Sequence, residues 1–219
     1  MTTVRVIRDI LEANDRIARD NAGLFSRSGV FVINLMSSPG AGKTTLLERT
    51  IERLAQRMKI GVIEGDIQSS IDAERIERHG VKAVQINTGG ACHLDGNMIR
   101  DALDEFDLDT LDLLVVENVG NLVCPAEFQV GEDMKVMLLS VTEGDDKPLK
   151  YPLMFQQSRA LVIHKIDLLP YVNCSVEAIE QRARALRNDI EIFQVSSTRG
   201  DGLEPWVEWL ASQVANKRG

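Results

Sequence analysis

Eight consecutive residues, Ser37-Ser38-Pro39-Gly40-Ala41-Gly42-Lys43-Thr44, carry the clearest chemistry in the chain. They fit the phosphate-binding Walker A pattern, with Ser37 where the first glycine is usual. Gly40 and Gly42 let backbone N–H groups turn toward a polyphosphate, and a helix opening at Lys43 offers its positive end to the same anion. Lys43 is expected to reach the β- and γ-phosphates, and the Thr44 hydroxyl to ligate Mg²⁺. Ala41 and Thr45 complete the stretch that would wrap the phosphates. The plainer alternative is a glycine-bearing turn with a surface lysine, but a β-type apolar run before the turn and good helix formers after it favour the phosphate loop.

Three further groups extend this chemistry. Asp66 follows the strand-like run Lys59–Glu64 and is a candidate to bind Mg²⁺ directly or through water, with Asp72 competing for the role and a turn aspartate as the bland alternative. Glu117 ends the apolar run Leu111–Glu117, and Gly120 follows three residues later; a carboxylate near the metal and a glycine whose N–H can approach phosphate would suit a γ-phosphate sensor, although ExxG alone is a weak signal. His164-Lys165-Ile166-Asp167 matches the guanine motif N/T-K-x-D with histidine first. Asp167 can accept hydrogen bonds from guanine N1 and N2, a pattern adenine does not offer, and the Lys165 stem can lie against the base. Ser196 and Ser197 are candidate contacts to the guanine carbonyl. An imidazole in place of asparagine is expected to supply one donor but not an amide's donor and acceptor together, which weakens the link from base site to phosphate loop more than it alters base identity.

Cys92, His93 and Cys124 form a third constellation. Each follows a predicted strand on the same side of the sheet, so the three can converge. Thiolate and imidazole suit tetrahedral Zn²⁺ or square-planar Ni²⁺, and three ligands leave a tetrahedral structural site incomplete. By spacing alone the two cysteines are inert thiols as often as ligands, and His93 a loop or capping residue. Cys174 has no partner nearby in sequence and is taken as a bystander.

These residues need a scaffold, and the hydrophobic pattern supplies it. Apolar strand-like runs end at Met36, Glu64, Asn87, Glu117, Val141, His164 and Val195, alternating with helical patterns, so the candidate site residues lie at or beyond strands' carboxyl ends. An amphipathic helix is expected over about Val4–Phe25, with Ile7, Ile10, Leu11, Ile17 and Ala18 inward. A short helix should open at Ser69 or Ser70, and another should follow the polar loop Thr142–Lys150. The last, Leu203–Ala215, packs through Trp206, Trp209 and Leu210. With no internal repeat, low-complexity tract or linker, the expectation is one α/β domain over residues 1–219, in which 1–28 form an N-terminal helical extension.

At 219 residues and 44% hydrophobic the chain can bury a sizeable core, which with 5% aromatics must be aliphatic. Twenty-five basic against 33 acidic residues give a net charge of −8, which disfavours nonspecific binding to nucleic acid or anionic lipid. The charged N-terminus lacks a secretory signal's apolar core, no stretch suits a membrane span, and three cysteines argue for reduced thiols, so a cytoplasmic location is expected.

The phosphate loop, with GGACHLD, ENVGNLVCPA, TEGDDKPLKYP and HKIDLLP, closely resembles the hydrogenase nickel-incorporation GTPases, the HypB family, from about residue 30 to the C-terminus. The resemblance implies a P-loop NTPase fold of the SIMIBI class with a mostly parallel sheet flanked by helices. It also implies slow, Mg²⁺-dependent GTP hydrolysis and a GTP-dependent homodimer. The implied role is nickel delivery to the large subunit of a nickel–iron hydrogenase beside a small zinc-containing, HypA-type partner. It assigns Cys92, His93 and Cys124 to a nickel or zinc site to which a second subunit could add thiolates. It also places a lysine of the polar loop, Lys150 or alternatively Lys147, near the partner's nucleotide; either could instead be a solvated surface charge. The family's Cys-rich nickel motif and His-rich stretch do not occur in these residues, and with three histidines storage of many ions is not expected.

Neighbouring functions fit less well. A urease-accessory GTPase would carry Cys-x-His rather than adjacent Cys92 and His93. A small-molecule P-loop kinase has no use for HKID at a strand end. A noncatalytic nucleotide- or metal-binding scaffold is made thinkable by His164 alone.

Overall fold

The computed structural model describes residues 2–66 and 71–218, so Ser69 and Ser70 lie outside the described residues, as do the side chains of Ile7 and Ile10. Among the described residues, seven strands form one sheet: β1 (Phe31–Ser37), β2 (Ile60–Asp66), β3 (Lys82–Asn87), β4 (Leu113–Glu117), β5 (Met134–Ser140), β6 (Ser158–His164) and β7 (Glu191–Val195). Their order is β3-β2-β4-β1-β5-β6-β7, and every pairing is parallel. Parallel strands demand crossovers, and α2 (Lys43–Leu54), α3 (Ile71–Glu77), α4 (Gly96–Leu103), α5 (Cys124–Glu127), α6 (Lys147–Lys150), α7 (Pro152–Gln157) and α8 (Val176–Leu186) lie in them, while α1 (Thr2–Ser28) precedes β1 and α9 (Leu203–Arg218) follows β7.

The uninterrupted burial of β1 and β4 explains their near-continuous apolar sequences. Three clusters cover the sheet. One gathers α2 and α9 around Leu46, Ile51, Val207 and Leu210. A second gathers α7 and α8 around Phe155 and Ile179. The third packs α1 and α4 through Phe25, Leu94 and Ile99. Trp206 buries its ring and donates its indole N–H to Thr50 Oγ1 at 2.9 Å, fastening α9 to α2 while satisfying a donor that burial would otherwise strand. Trp209 sits half-buried against Phe193.

Boundaries differ from the sequence expectation for local reasons. β4 starts at Leu113 because a 3₁₀ turn over Leu108–Thr110 precedes it, and β2 runs on to Asp66 because that residue still pairs with Asn87 of β3. The expected polar loop itself ends in a short helix, α6, and a second, α7, follows it, each carrying a proline in its first turn. An additional helix, α8, opens behind Ser175, whose hydroxyl accepts from Ala178 N at 3.1 Å.

The register then places the chemistry. Glu64 of β2 stands directly beside Glu117 of β4, and Ser140 of β5 beside His164 of β6. The strand ends form one polar rim.

Candidate functional site

Gly40 (φ 73°) and Gly42 (φ 104°) hold the left-handed conformations that the phosphate loop needs. Ser37 is the last residue of β1 and fully buried, outside the positive-φ region, so a side chain is tolerated where the pattern usually has glycine. Its hydroxyl accepts from Lys43 Nζ at 3.1 Å and thereby aims the ammonium across the loop. Lys165 Nζ donates to Gly40 O at 2.7 Å, and Ser38 Oγ bonds Glu143 at the start of the polar loop. Gly120 is there for space: a Cβ would come within 2.9 Å of the Pro39 backbone.

A cavity of about 550 Å³ opens over this loop, lined among others by Lys43, Thr44, His164, Lys165, Asp167 and Ser197. Thr45 lines it too, and its hydroxyl receives Arg75 Nη2 at 3.5 Å. A neighbouring cavity of about 250 Å³ shares Gly40, Lys43, Asp72 and Glu117 and adds Glu64, Asp66, Asn118 and Gly120. Together they suit an elongated ligand with a base at one end and phosphates at the other. Ser196 stands behind the first cavity, donating to Asp167 Oδ1 at 2.6 Å and so orienting the carboxylate.

His164 does more than the sequence suggests. Its Nδ1 lies 2.9 Å from Ala41 O, and a carbonyl can only accept, so Nδ1 carries the proton. Nε2 then accepts from Ser197 Oγ at 2.7 Å. One neutral ring therefore supplies both a donor and an acceptor, and the expected weakening of the link to the phosphate loop is corrected. Burial lowers the imidazole's pKa, which keeps the ring neutral, and the two hydrogen bonds fix its tautomer. The ring needs room, since a Cβ on Gly42 would lie 2.7 Å from it. Lys165 is the one non-glycine residue with positive φ among those described, a strained position of the kind found at functional sites.

Two acids meet beyond the phosphate loop. Thr44 donates to Glu117 Oε1 at 2.9 Å, while Glu117 Oε2 and Glu64 Oε1 are buried without a hydrogen-bond partner. Burial raises both carboxyl pKa values, opposed at Glu117 by the Lys43 charge. Two orphaned carboxylate oxygens beside a threonine hydroxyl are hard oxygen donors that fit a Mg²⁺ ion. Asp66 and Asp72 face the same cavity, and Asp72 is held by Arg75 at 3.0 Å. Glu64 is the residue sequence reasoning missed: its signal was a second acid near the end of an apolar strand, decisive only once the β2–β4 register is known.

Cys92, His93 and Cys124 converge, with one ligand atom from each lying within 4.8 Å of the others. The two sulfurs are 3.0 Å apart, and Cys92 Sγ is 3.6 Å from His93 Nδ1. The His93 ring lies 3.8 Å from that of Phe128, centroid to centroid, and burial lowers its pKa, leaving the neutral imidazole a metal needs. The Cys92 hydrogen bond and burial push the Cys124 thiol up. These soft donors suit nickel or zinc, and the exposure of Cys92 leaves an open side. Cys174 packs elsewhere, among the α7–α8 side chains. Lys150 is not brought to the nucleotide cavity of its own chain; it is exposed and paired with Asp146 at 2.6 Å.

The fold and this rim define a P-loop protein of the SIMIBI GTPase class, a fold also seen in the GDP-bound signal recognition particle 54 kDa protein of Aeropyrum pernix (12% identity, TM-score 0.57). Residues 31–194 match the model of the CobW/HypB/UreG nucleotide-binding domain. The hydrogenase maturation factor HypB of Azotobacter vinelandii is 51% identical over 210 residues, spanning 96% of this chain and 69% of that one. The crystal structure of Helicobacter pylori HypB in complex with nickel superposes with a TM-score of 0.88 at 41% identity, covering 94% of this chain and 97% of that one. The chain belongs to the HypB family of hydrogenase maturation factors.

Proposed function

We propose that the protein is a GTP-hydrolysing metallochaperone that helps insert nickel into the large subunit of a nickel–iron hydrogenase. The observation that carries this reading is the β4–α5 connection: Glu117, which bonds Thr44, and Cys124, which meets Cys92 and His93, lie on one short stretch of chain. Nucleotide chemistry and metal handling thus share a moving part.

In this reading Asp167, oriented by Ser196, accepts from guanine N1 and N2, and the Lys165 stem covers the base. Ser196 and Ser197 back this end of the site. The backbone of Gly40, Ala41 and Gly42, with Lys43, Thr44 and Thr45, wraps the phosphates, and Gly120 approaches the γ-phosphate. Thr44, Glu117 and Asp66 would hold Mg²⁺, with Glu64 beside them; the ion supplies neutralisation of charge developing on the phosphate oxygens. Chemistry is slow in this reading because, among the described residues, the arginine that lines the site is Arg75, which is engaged by Glu48 and Asp72. The family's GTP-dependent homodimer would bring Lys150, or Lys147, toward the partner's nucleotide, freeing it from Asp146. Nickel or zinc is the cargo at Cys92, His93 and Cys124, received from or passed to a HypA-type partner. The place of work in this reading is the cytoplasm; separately, no helix among the described residues is long and apolar enough to cross a membrane.

The test joins turnover to mass. GTP should be hydrolysed at least tenfold faster than ATP, and sedimentation should shift toward dimer with a nonhydrolysable GTP analogue but not with GDP. Lys150→Ala should blunt that shift. Equal use of ATP and GTP, with one mass in every nucleotide state, would remove the reading.

A further inference from the structure

A buried polar chain runs from Asn118, which borders the smaller cavity, to both arms of the Cys92–His93–Cys124 cluster, and its other members, Asn34, Glu132 and Lys135, line neither cavity of the nucleotide site. It starts at Asn118, between Glu117 and Val119, which is 1% exposed. Its Oδ1 accepts from Val119 N and from Leu94 N, each at 3.0 Å. Leu94 is the residue after His93. Asn118 Nδ2 donates to Asn34 Oδ1 at 3.0 Å. Asn34, fully buried in β1, reaches Glu132 Oε1 at 3.4 Å. Glu132 lies 3.7 Å from Lys135 Nζ, and that buried ammonium donates to the carbonyls of Pro125, Ala126 and Phe128, each at 2.9 Å. Those carbonyls belong to α5 and its exit, and α5 begins with Cys124.

Burying two amides, a carboxylate and an ammonium is costly unless every partner is placed, and an apolar interior would serve stability alone at least as well. The far ends of the ligand loops are held separately by α1. Asn14 Oδ1 accepts from Gly96 N at 2.8 Å, and Asn14 Nδ2 donates to Gln129 O at 2.9 Å. Asn21 Nδ2 reaches Gly96 O at 2.8 Å and Val130 O at 3.1 Å. With Gly96 and residues 129–130 anchored, the remaining supports of the cluster are a surface bond from Asn121 Nδ2 to Cys92 O at 3.2 Å and the two places the Asn118 chain grips, Leu94 and α5.

We propose that Asn118 is the positioning residue that transmits nucleotide state to the metal cluster, directly to His93 through Leu94 N and indirectly to Cys124 through Asn34, Glu132 and Lys135. This rests on the nucleotide-gated metal-carrier reading above. Displacement of residues 118–120 toward a γ-phosphate either carries Leu94 along or breaks its hydrogen bond, and both change the separation of His93 from Cys124. The cluster then has a different Ni²⁺ affinity in each nucleotide state, and the two affinities are linked reciprocally.

The experiment is a titration of the full chain with Ni²⁺ in the presence of GDP and, separately, of a nonhydrolysable GTP analogue. It is run for the parent, Asn118→Ala, Asn34→Ala and, as a ligand control, Cys92→Ser, with melting and GDP affinity recorded for each. The parent should show at least about a fivefold difference in Ni²⁺ affinity between the two states. Asn118→Ala should still bind GDP and Ni²⁺ while that ratio falls to one, and Asn34→Ala, which leaves the Leu94 bond intact, should lose part of it. Should Asn118→Ala fail to retain GDP, Asn118→Ser takes its place, keeping a hydroxyl for Val119 N that falls short of Leu94. A variant with Ni²⁺ affinity lowered equally in both states and an unchanged ratio would show a structural role only and overturn the proposal. A parent ratio of one, or a Cys92→Ser variant binding Ni²⁺ as the parent does, would instead overturn the underlying reading.

Discussion

The nucleotide rim and the thiol–imidazole cluster are built on opposite plans. Around the phosphate loop the polar side chains are buried or half-buried and many are fixed by another group: Ser37 holds Lys43, Glu117 holds Thr44, His164 holds Ala41 and Ser197, and Ser196 holds Asp167. At the cluster the ligands themselves lie open, Cys92 exposed and His93 and Cys124 half-buried, and the buried groups that support them, Asn118 and Lys135, hold neighbouring backbone rather than the ligand side chains. Preorganisation suits a site that must recognise one ligand closely, because little ordering is left to be done on binding. An open set of soft donors, with Cys92 exposed, suits a site that must take up an ion and release it again.

That contrast can be broken by experiment. The largest effect belongs to the rigid rim. Lys43→Ala should lower GTP turnover by at least about 100-fold, since it removes the one cation of the phosphate loop; turnover should be measured with Ni²⁺ affinity in the same preparation, which the contrast requires to change little in GDP. Next comes the open site. Cys124→Ser should weaken Ni²⁺ binding by more than the roughly 10–100-fold typical of losing a supporting partner, while GDP affinity stays near the parent's. If GDP affinity fell in parallel, the two regions would be one site and the comparison would fail.

The smallest effect tests whether the rim depends on a neutral ring. Burial lowers the His164 pKa, so between that lowered value and the ordinary imidazole value of about 6.5 the unfolded chain binds more protons than the folded one. Stability therefore rises with pH across this window and is fully present above it. Melting followed from pH 7.5 down to 5.5 should show a loss that is shallower in His164→Asn, because an amide supplies a donor and an acceptor without titrating. Identical slopes in both proteins would show that His164 is not the group responsible.

How much of this was legible beforehand depended on how local each signal was. Gly40 to Thr44, Asp167 and the apolar run ending in Glu117 announce themselves within a few residues, since loop geometry and strand periodicity are short-range properties. Glu64 did not, because its meaning comes from a β2–β4 register that no local pattern encodes. Lys135 reads as a stray charge in an apolar strand until the α5 carbonyls are seen around it. Glu143 passed for loop polarity, although it bonds both Ser140 N and the phosphate loop at Ser38. His164 was placed correctly but undervalued: counting one N–H per neutral ring is right, yet the second nitrogen's lone pair is used as well. For Cys92 and Cys124, separated by 32 residues, only the fold could bring the sulfurs together.

The His164 clamp also sets a timetable for the chain's folding. It joins residue 41 to residue 164, 123 positions apart, and is completed by Ser197, 33 positions further on. Contacts of such long range form late, after the entropy of closing the intervening chain has been met, and a parallel sheet ordered β3-β2-β4-β1-β5-β6-β7 admits no local shortcut. During synthesis the phosphate loop emerges early but lacks its brace until β6 and the residues after β7 have left the ribosome. A nascent chain can thus display the nucleotide motif long before it can close the nucleotide site, and the capacity to hold GTP becomes a mark of a finished fold.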